Sequence, residues 1–274
     1  MIDHTDKVIL PIGLEVDGTR YREIVIDEMT GIDEENLTSK KIKNNGAKAV
    51  SVLLRRCIQE IPGLMERKKN PMDLIPEKFV KEMYVADRDF LTLCIRALSE
   101  KSKFLSSFSC PSCTFTEEKW IDFNEMDVYE WDESMPVQLE IELPRGFFDQ
   151  TDNQYKGKVV WEFPKGKAQE GMASIPDGQM ATYMIASGIR SVEGMRALPS
   201  DHDVRRLGVR DRNAFAQAIT DNSIGVDTKI ELICESCGHE YDTEVNIMGF
   251  FSLGGEEKKE SKNGKSGRRK RKKA

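Results

Sequence analysis

The 274 residues include 39% apolar and 32% charged side chains and carry a formal net charge of −6, the make-up of a globular chain with a heavily charged surface. No run of about 18 apolar residues occurs, which excludes a membrane-spanning helix, and the opening Met1-Ile2-Asp3-His4-Thr5-Asp6 lacks the basic and apolar regions of a secretory signal. The six cysteines are therefore expected to stay reduced, where thiols serve metals or redox chemistry rather than structural disulfides.

From the N-terminus, Val8 to Leu14 and Tyr21 to Asp27 read as a strand pair around the turn residues Asp17-Gly18. A helix is expected over Ala47 to Ile61, where Val50, Leu53, Leu54, Cys57, Ile58 and Ile61 fall at helical spacing. Pro62-Gly63 then ends it. A second helix is expected from near Asp87, a suitable N-cap, with Phe90, Leu91, Cys94, Ile95 and Leu98 on its apolar side. A strand, the motif Cys110-Pro111-Ser112-Cys113 and a return strand follow.

The same order then recurs. Val137 to Leu143 and Lys158 to Phe163 form a strand pair, joined by a longer connection rich in Asp, Asn and Gln. A helix runs from about Gln179 to Val192 through Met180, Tyr183, Met184 and Ile189, with Gly194 beyond its end. Another starts near Asp211 and carries Phe215, Ala218 and Ile219. The second hairpin is Ile230 to Ile233, then Cys234-Glu235-Ser236-Cys237, then Thr243 to Ile247.

Spacing supports the repetition. Asp87-Arg88 lies 23 and 22 residues before Cys110, and Asp211-Arg212 lies at the same distances before Cys234. At this offset of 124, Val80, Met83 and Val85 align with Val204, Leu207 and Val209, and Ile121, Asp122 and Phe123 with Val245, Asn246 and Ile247. Upstream the offset drifts to 131, matching Ile58, Ile61, Gly63 and Leu64 with Ile189, Val192, Gly194 and Met195. At 133, Leu10-Pro11-Ile12-Gly13 meets Leu143-Pro144-Arg145-Gly146. The reading is a tandem duplication in an α+β fold. Each unit holds a strand pair, helices and a C-x-x-C hairpin, over residues 1–136 and 137–253, before a basic tail at 254–274.

A redox C-x-x-C places its first cysteine at a helix N-terminus, but here Thr114-Phe115-Thr116-Glu117 and Gly238-His239-Glu240-Tyr241 lead into strands. Each motif suits a zinc knuckle. One knuckle supplies two thiolates, and a structural zinc ion takes four in a tetrahedron. Cys110, Cys113, Cys234 and Cys237 are thus expected to form one shared four-cysteine zinc ribbon. Two separate or unmetallated pairs, and a redox pair, are the alternatives. Such a site leaves no open coordination position, so its role is structural, with a folding contribution on the order of 10 kcal/mol. Cys57 and Cys94 lie on apolar helix faces and read as buried small hydrophobes, while His239 is expected beside the ligands or at the surface.

No catalytic machinery emerges. His4, His202 and His239 lack the surroundings of a general base, and neither a Gly-rich phosphate loop nor a G-x-S-x-G elbow occurs. Arg88 and Arg212 are expected to pair locally or to pack across a pseudo-two-fold. From Glu256 to Ala274 ten Lys/Arg and three Glu give +7, so the preceding 255 residues carry −13, the difference from the chain's −6. The tail has almost no apolar residues and is expected to be solvated and disordered, with its basic run available to nucleic acid or an acidic protein.

Taken together, the Leu-Pro-x-Gly strands, Tyr21-Arg22-Glu23-Ile24, Met29-Thr30-Gly31-Ile32-Asp33-Glu34-Glu35, the Asp-Arg steps, the knuckles and Phe250-Phe251 form an order that resembles small tail and baseplate-hub assembly proteins of contractile-tailed bacteriophages. The resemblance implies a non-enzymatic role in building or forming the baseplate hub. It implies other tail and baseplate proteins as partners, no membrane, and a place in the host cytoplasm or the virion tail. The rival reading is a zinc-ribbon nucleic-acid-binding or transcription regulatory protein, which the acidic knuckle flanks Glu117, Glu118, Glu235, Glu240, Asp242 and Glu244 oppose.

Overall fold

Asp17 and Gly18 both take positive φ, 49° and 77°, the conformation of a two-residue type I′ turn whose twist suits antiparallel strands. A computed structural model describes residues 7–38, 45–99 and 102–245, and in it this turn joins β1 (Lys7–Val16) to β2 (Thr19–Ile26). Helices α1 (Gly31–Thr38) and α2 (Gly46–Cys57) follow, then β3 (Ile58–Glu60), which pairs with β2 to give the antiparallel order β1-β2-β3. Helices α3 (Glu77–Glu82) and α4 (Val85–Ser99) lead into a hairpin of β4 (Lys103–Ser109) and β5 (Thr116–Asp122).

After the short β6 (Val128–Tyr129) come β7 (Gln138–Asp149), β8 (Gln154–Glu162), α5 (Gly166–Met172), α6 (Met180–Gly188) and β9 (Ile189–Val192), with sheet order β7-β8-β9. Helices α7 (Asp201–Arg205) and α8 (Val209–Asp221), then β10 (Gly225–Val226), precede a last hairpin of β11 (Lys229–Ile233) and β12 (Glu240–Glu244). The fold is mixed α and β, and every ladder among the described residues is antiparallel. No helix among those residues is long and apolar enough to cross a membrane. His4, Asn246, Ile247, Phe250-Phe251 and the basic tail lie outside the described residues.

Two expected helices are too long by their last residues. α2 ends at Cys57, and Ile58 turns to extended backbone (φ −68°, ψ 122°) to pair with Ile26. α6 ends at Gly188, and Ile189 does the same (φ −64°, ψ 125°) to pair with Trp161. In both places the free edge of the strand pair captures β-branched residues whose apolar spacing also fits a helix.

The repeated aspartates are not N-caps. Asp87 and Asp211 are the third residues of α4 and α8, and their carboxylates reach out to the opening strand of each sheet. The registers of β1 and β7 slip between Ile9 and Leu14 and between Glu142 and Phe147. Such bulges leave ladder amides unpaired. Asp87 accepts from the amides of Ile12 (2.8 Å) and Gly13 (2.9 Å), and Asp211 from those of Arg145 (2.8 Å) and Gly146 (3.2 Å). The glycine of each Leu-Pro-x-Gly serves this bulge, with φ of 109° at Gly13 and 83° at Gly146. A Cβ on Gly146 would lie 2.0 Å from the Lys156 carbonyl oxygen.

Each neighbouring arginine turns inward to the helix before β3 or β9. Arg88 is fully buried and donates to the carbonyls of Val80 (2.6 Å) and Ala47 (2.9 Å), to Ser51 Oγ (2.9 Å) and to Gln169 Oε1 (2.8 Å). It thereby binds α2, α3 and α4 to α5 of the C-terminal half. Gly166 permits the approach, since a Cβ there would sit 2.6 Å from the guanidinium. Arg212 is half-buried and donates to Thr182 of α6 at 3.2 Å. The halves interlock elsewhere too. Ile12 and Tyr84 belong to the core around β7-β8-β9, Val245 to the core around β1-β2-β3, and β10 pairs with β6.

Burial pushes the Asp87 carboxyl up to about 7, against the pull of its two amide donors. A folded value above the ordinary 3.8 means that folding favours the protonated acid. This contribution is complete below about pH 4 and is lost as pH rises through 7. Urea unfolding at pH 4 to 8 is expected to show a decline in stability that Asp87→Asn flattens. Asp87→Ala, which orphans two buried amides, should cost about 3 kcal/mol. Equal slopes in wild type and Asp87→Asn would contradict this account.

Candidate metal centre

The β4/β5 ladder closes at Ser109 and Thr116, and the β11/β12 ladder at Ile233 and Glu240, so each C-x-x-C occupies a hairpin tip, as the sequence leads one to expect. The tips share one hydrogen-bond plan. The Cys110 amide donates to the Phe115 carbonyl and the Thr114 amide to the Cys110 carbonyl, both at 2.9 Å. The Cys234 amide donates to the His239 carbonyl and the Gly238 amide to the Cys234 carbonyl, again at 2.9 Å. The residue after each second cysteine is left-handed, Thr114 at φ 59° and Gly238 at φ 70°.

Folding brings these tips together across more than 120 residues. The Sγ atoms of Cys110, Cys113, Cys234 and Cys237 all lie within 4.8 Å of one another. Cys110 meets Cys237 at 3.8 Å and Cys113 meets Cys234 at 3.6 Å. In each contact the first cysteine of one motif faces the second cysteine of the other. Metal–sulfur bonds of about 2.3 Å in a tetrahedron require sulfurs about 3.8 Å apart, so the cluster is compatible with one metal ion held by four thiolates. All six cysteines are free.

The local electrostatics favour thiolate at the first position. Burial opposes ionisation of Cys110, but the amides of Cys113 and Ser112 donate to its sulfur and bring its pKa down to about 7. At Cys237 the His239 amide pulls down, yet hydrogen bonding to its sulfur neighbours, Cys113 first, pushes the thiol up to about 12. Four adjoining sulfurs without a cation must share protons, which a divalent ion replaces. Cys110 and Cys234 are buried while Cys113 and Cys237 reach the surface, so the cluster is accessible from one side.

A polar belt braces the hairpins. Tyr241 Oη donates to Glu117 Oε1 at 3.4 Å, and Lys119 Nζ lies 3.3 Å from Glu117 and 3.4 Å from Glu235. Sequence reading passed over this contact, although Glu117 and Tyr241 are themselves 124 residues apart. The remaining candidates fall outside the cluster. Cys57 and Cys94 are fully buried, with thiols that burial pushes up to about 12. His239 is exposed and stacks on Tyr241 at 6.3 Å. His202 lies on α7 and is exposed. Compared with family models, curated proteins and solved structures, the chain matches none of them.

The two left-handed positions make a paired prediction. Threonine resists positive φ where glycine does not, by about 1 kcal/mol. Thr114→Gly is therefore expected to raise the thermal midpoint of the metal-loaded protein and Gly238→Ala to lower it, in calorimetry. Changes of the same sign would contradict the knuckle geometry.

Proposed function

We propose that the chain is a non-enzymatic scaffold, a tandemly duplicated unit whose two hairpins are clamped by one structural zinc ion. We propose further that it serves in assembling, or as part of, the baseplate hub of a contractile-tailed bacteriophage, among other tail and baseplate proteins, in the host cytoplasm and in the virion tail. The observation that carries the scaffold reading is the gathering of four thiols from hairpins far apart in sequence. Zinc is favoured among metals because four thiolates in a tetrahedron suit it and leave no open position for chemistry.

The duplication draws support from atoms that repeat at the sequence offsets. Asp87 and Asp211 accept from bulge amides 133 residues apart, and Arg88 and Arg212 reach hydroxyls, Ser51 and Thr182, that are 131 apart. The phage assignment rests on the resemblance of the motif order. Against the nucleic-acid alternative stand the exposed Glu118, Glu235 and Glu240 around the tips, which would repel phosphate.

The test is genetic. A nonsense mutation in this chain, in its own phage, is expected to leave heads intact and completed tails absent in electron micrographs. Complementation should succeed with the wild-type gene and fail with Cys113→Ser/Cys237→Ser. Normal tails without the protein, or salt-sensitive DNA binding by the purified chain with the tips as its footprint, would overturn the assignment.

A further inference from the structure

A cavity of about 650 Å³ lies where the two halves meet, walled by α4, the β8–α5 connection and the end of α8 with β10. None of the four cysteines lines it. Its size falls within the range of small-molecule pockets. Tyr129, Trp161 and Phe163 give it aromatic walls. Trp161 is fixed by its indole N–H, which donates to the Ile185 carbonyl at 3.1 Å, and by an edge-on contact with Phe163 at 5.4 Å.

Set into this lining is the carboxylate of Asp89. It accepts a hydrogen bond from Gln169 Nε2 at 3.5 Å, beyond the usual length of such a bond. The adjacent Arg88 gives its hydrogen bonds to Val80, Ala47, Ser51 and Gln169, and acts on Asp89 through charge alone, pulling its carboxyl down against the effect of burial. Burial nonetheless pushes the Asp89 carboxyl up to about 6. Among the described residues the cavity also carries Asp221, Asp227 and Glu244 against the single ammonium of Lys229, so the field of that lining is negative.

We propose that this cavity binds an organic cation, an alkylammonium or guanidinium group on an apolar stem, with Asp89 as its counter-ion. Each half of such a ligand finds its complement. The apolar stem packs against the edges of Trp161 and Phe163, and the exposed Tyr129 ring attracts the cation. A half-buried carboxylate whose hydrogen bond to Gln169 is long gains a charge-assisted hydrogen bond. An anion would meet four carboxylates, and a neutral polar group would gain nothing from their negative field. The same chemistry comes from a lysine or arginine side chain of a partner protein or from a free amine.

The experiment titrates the full chain with n-butylammonium, agmatine and the neutral n-butanol, followed by tryptophan fluorescence and by NMR shifts of the indole N–H signals. Both cations are expected to bind and n-butanol to bind at least tenfold more weakly. Asp89→Asn should weaken the cations by tenfold or more, the size of one charge-assisted hydrogen bond, with circular dichroism unchanged. Lys229→Gln, at an exposed rim position, should strengthen them about threefold, which keeps the proposal testable if Asp89→Asn fails to fold. Tighter binding of N-acetyl-lysine methylamide than of n-butylammonium would assign the source to a protein side chain, and the reverse order to a free amine. Equal binding of n-butanol, no response to the cations, or weakening by Lys229→Gln would overturn the proposal.

Discussion

Four sulfur atoms within 4.8 Å of one another are a demanding arrangement, because adjoining thiolates repel and adjoining thiols are poor hydrogen-bond partners. A divalent cation converts that cost into the strongest cross-link available to a reduced chain of this kind. The geometry around the sulfurs is built before any metal is considered. Each hairpin presents its thiols through the same pair of 2.9 Å backbone bonds and the same left-handed residue. What the rest of the fold must do is hold two hairpins, separated by more than 120 residues, in facing register.

It does so with a second device that both halves contain. A buried aspartate ties the bulge of the first strand to the start of a helix, and the next arginine ties that helix to the one before β3 or β9. The device is unequal between halves. Arg88 makes four hydrogen bonds and reaches α5 of the other half, whereas Arg212 has its one bond to Thr182. Arg88 is thus a strut between the halves, and Gly166 is the residue whose missing side chain lets α5 close onto it.

Much of this was legible in the sequence. The two C-x-x-C motifs, their hairpins, the Asp17-Gly18 turn and the burial of Cys57 and Cys94 follow from spacing and composition, because each depends on local geometry or on apolarity alone. The purpose of Asp87 and Asp211 was not legible. An aspartate at the start of a helical pattern reads as a cap, and only the tertiary contact with a bulge, 74 or 75 residues earlier for Asp87 and 65 or 66 for Asp211, redirects it. The ends of α2 and α6 were misjudged for a related reason. Ile58 and Ile189 satisfy helical spacing, and the open edge of a strand pair that claims them is invisible in one dimension. The cavity at Asp89 had no sequence signal either, since its walls come from six separate segments.

The central claim is that one metal ion, shared by the two hairpins, completes the structure. Elemental analysis of the purified chain under reducing conditions, paired with cobalt substitution, tests it most directly. The account predicts one zinc per chain and a cobalt spectrum with the intense sulfur charge-transfer bands of a single tetrahedral four-thiolate site. Two metal ions per chain, or none bound while the protein stays folded, would contradict it.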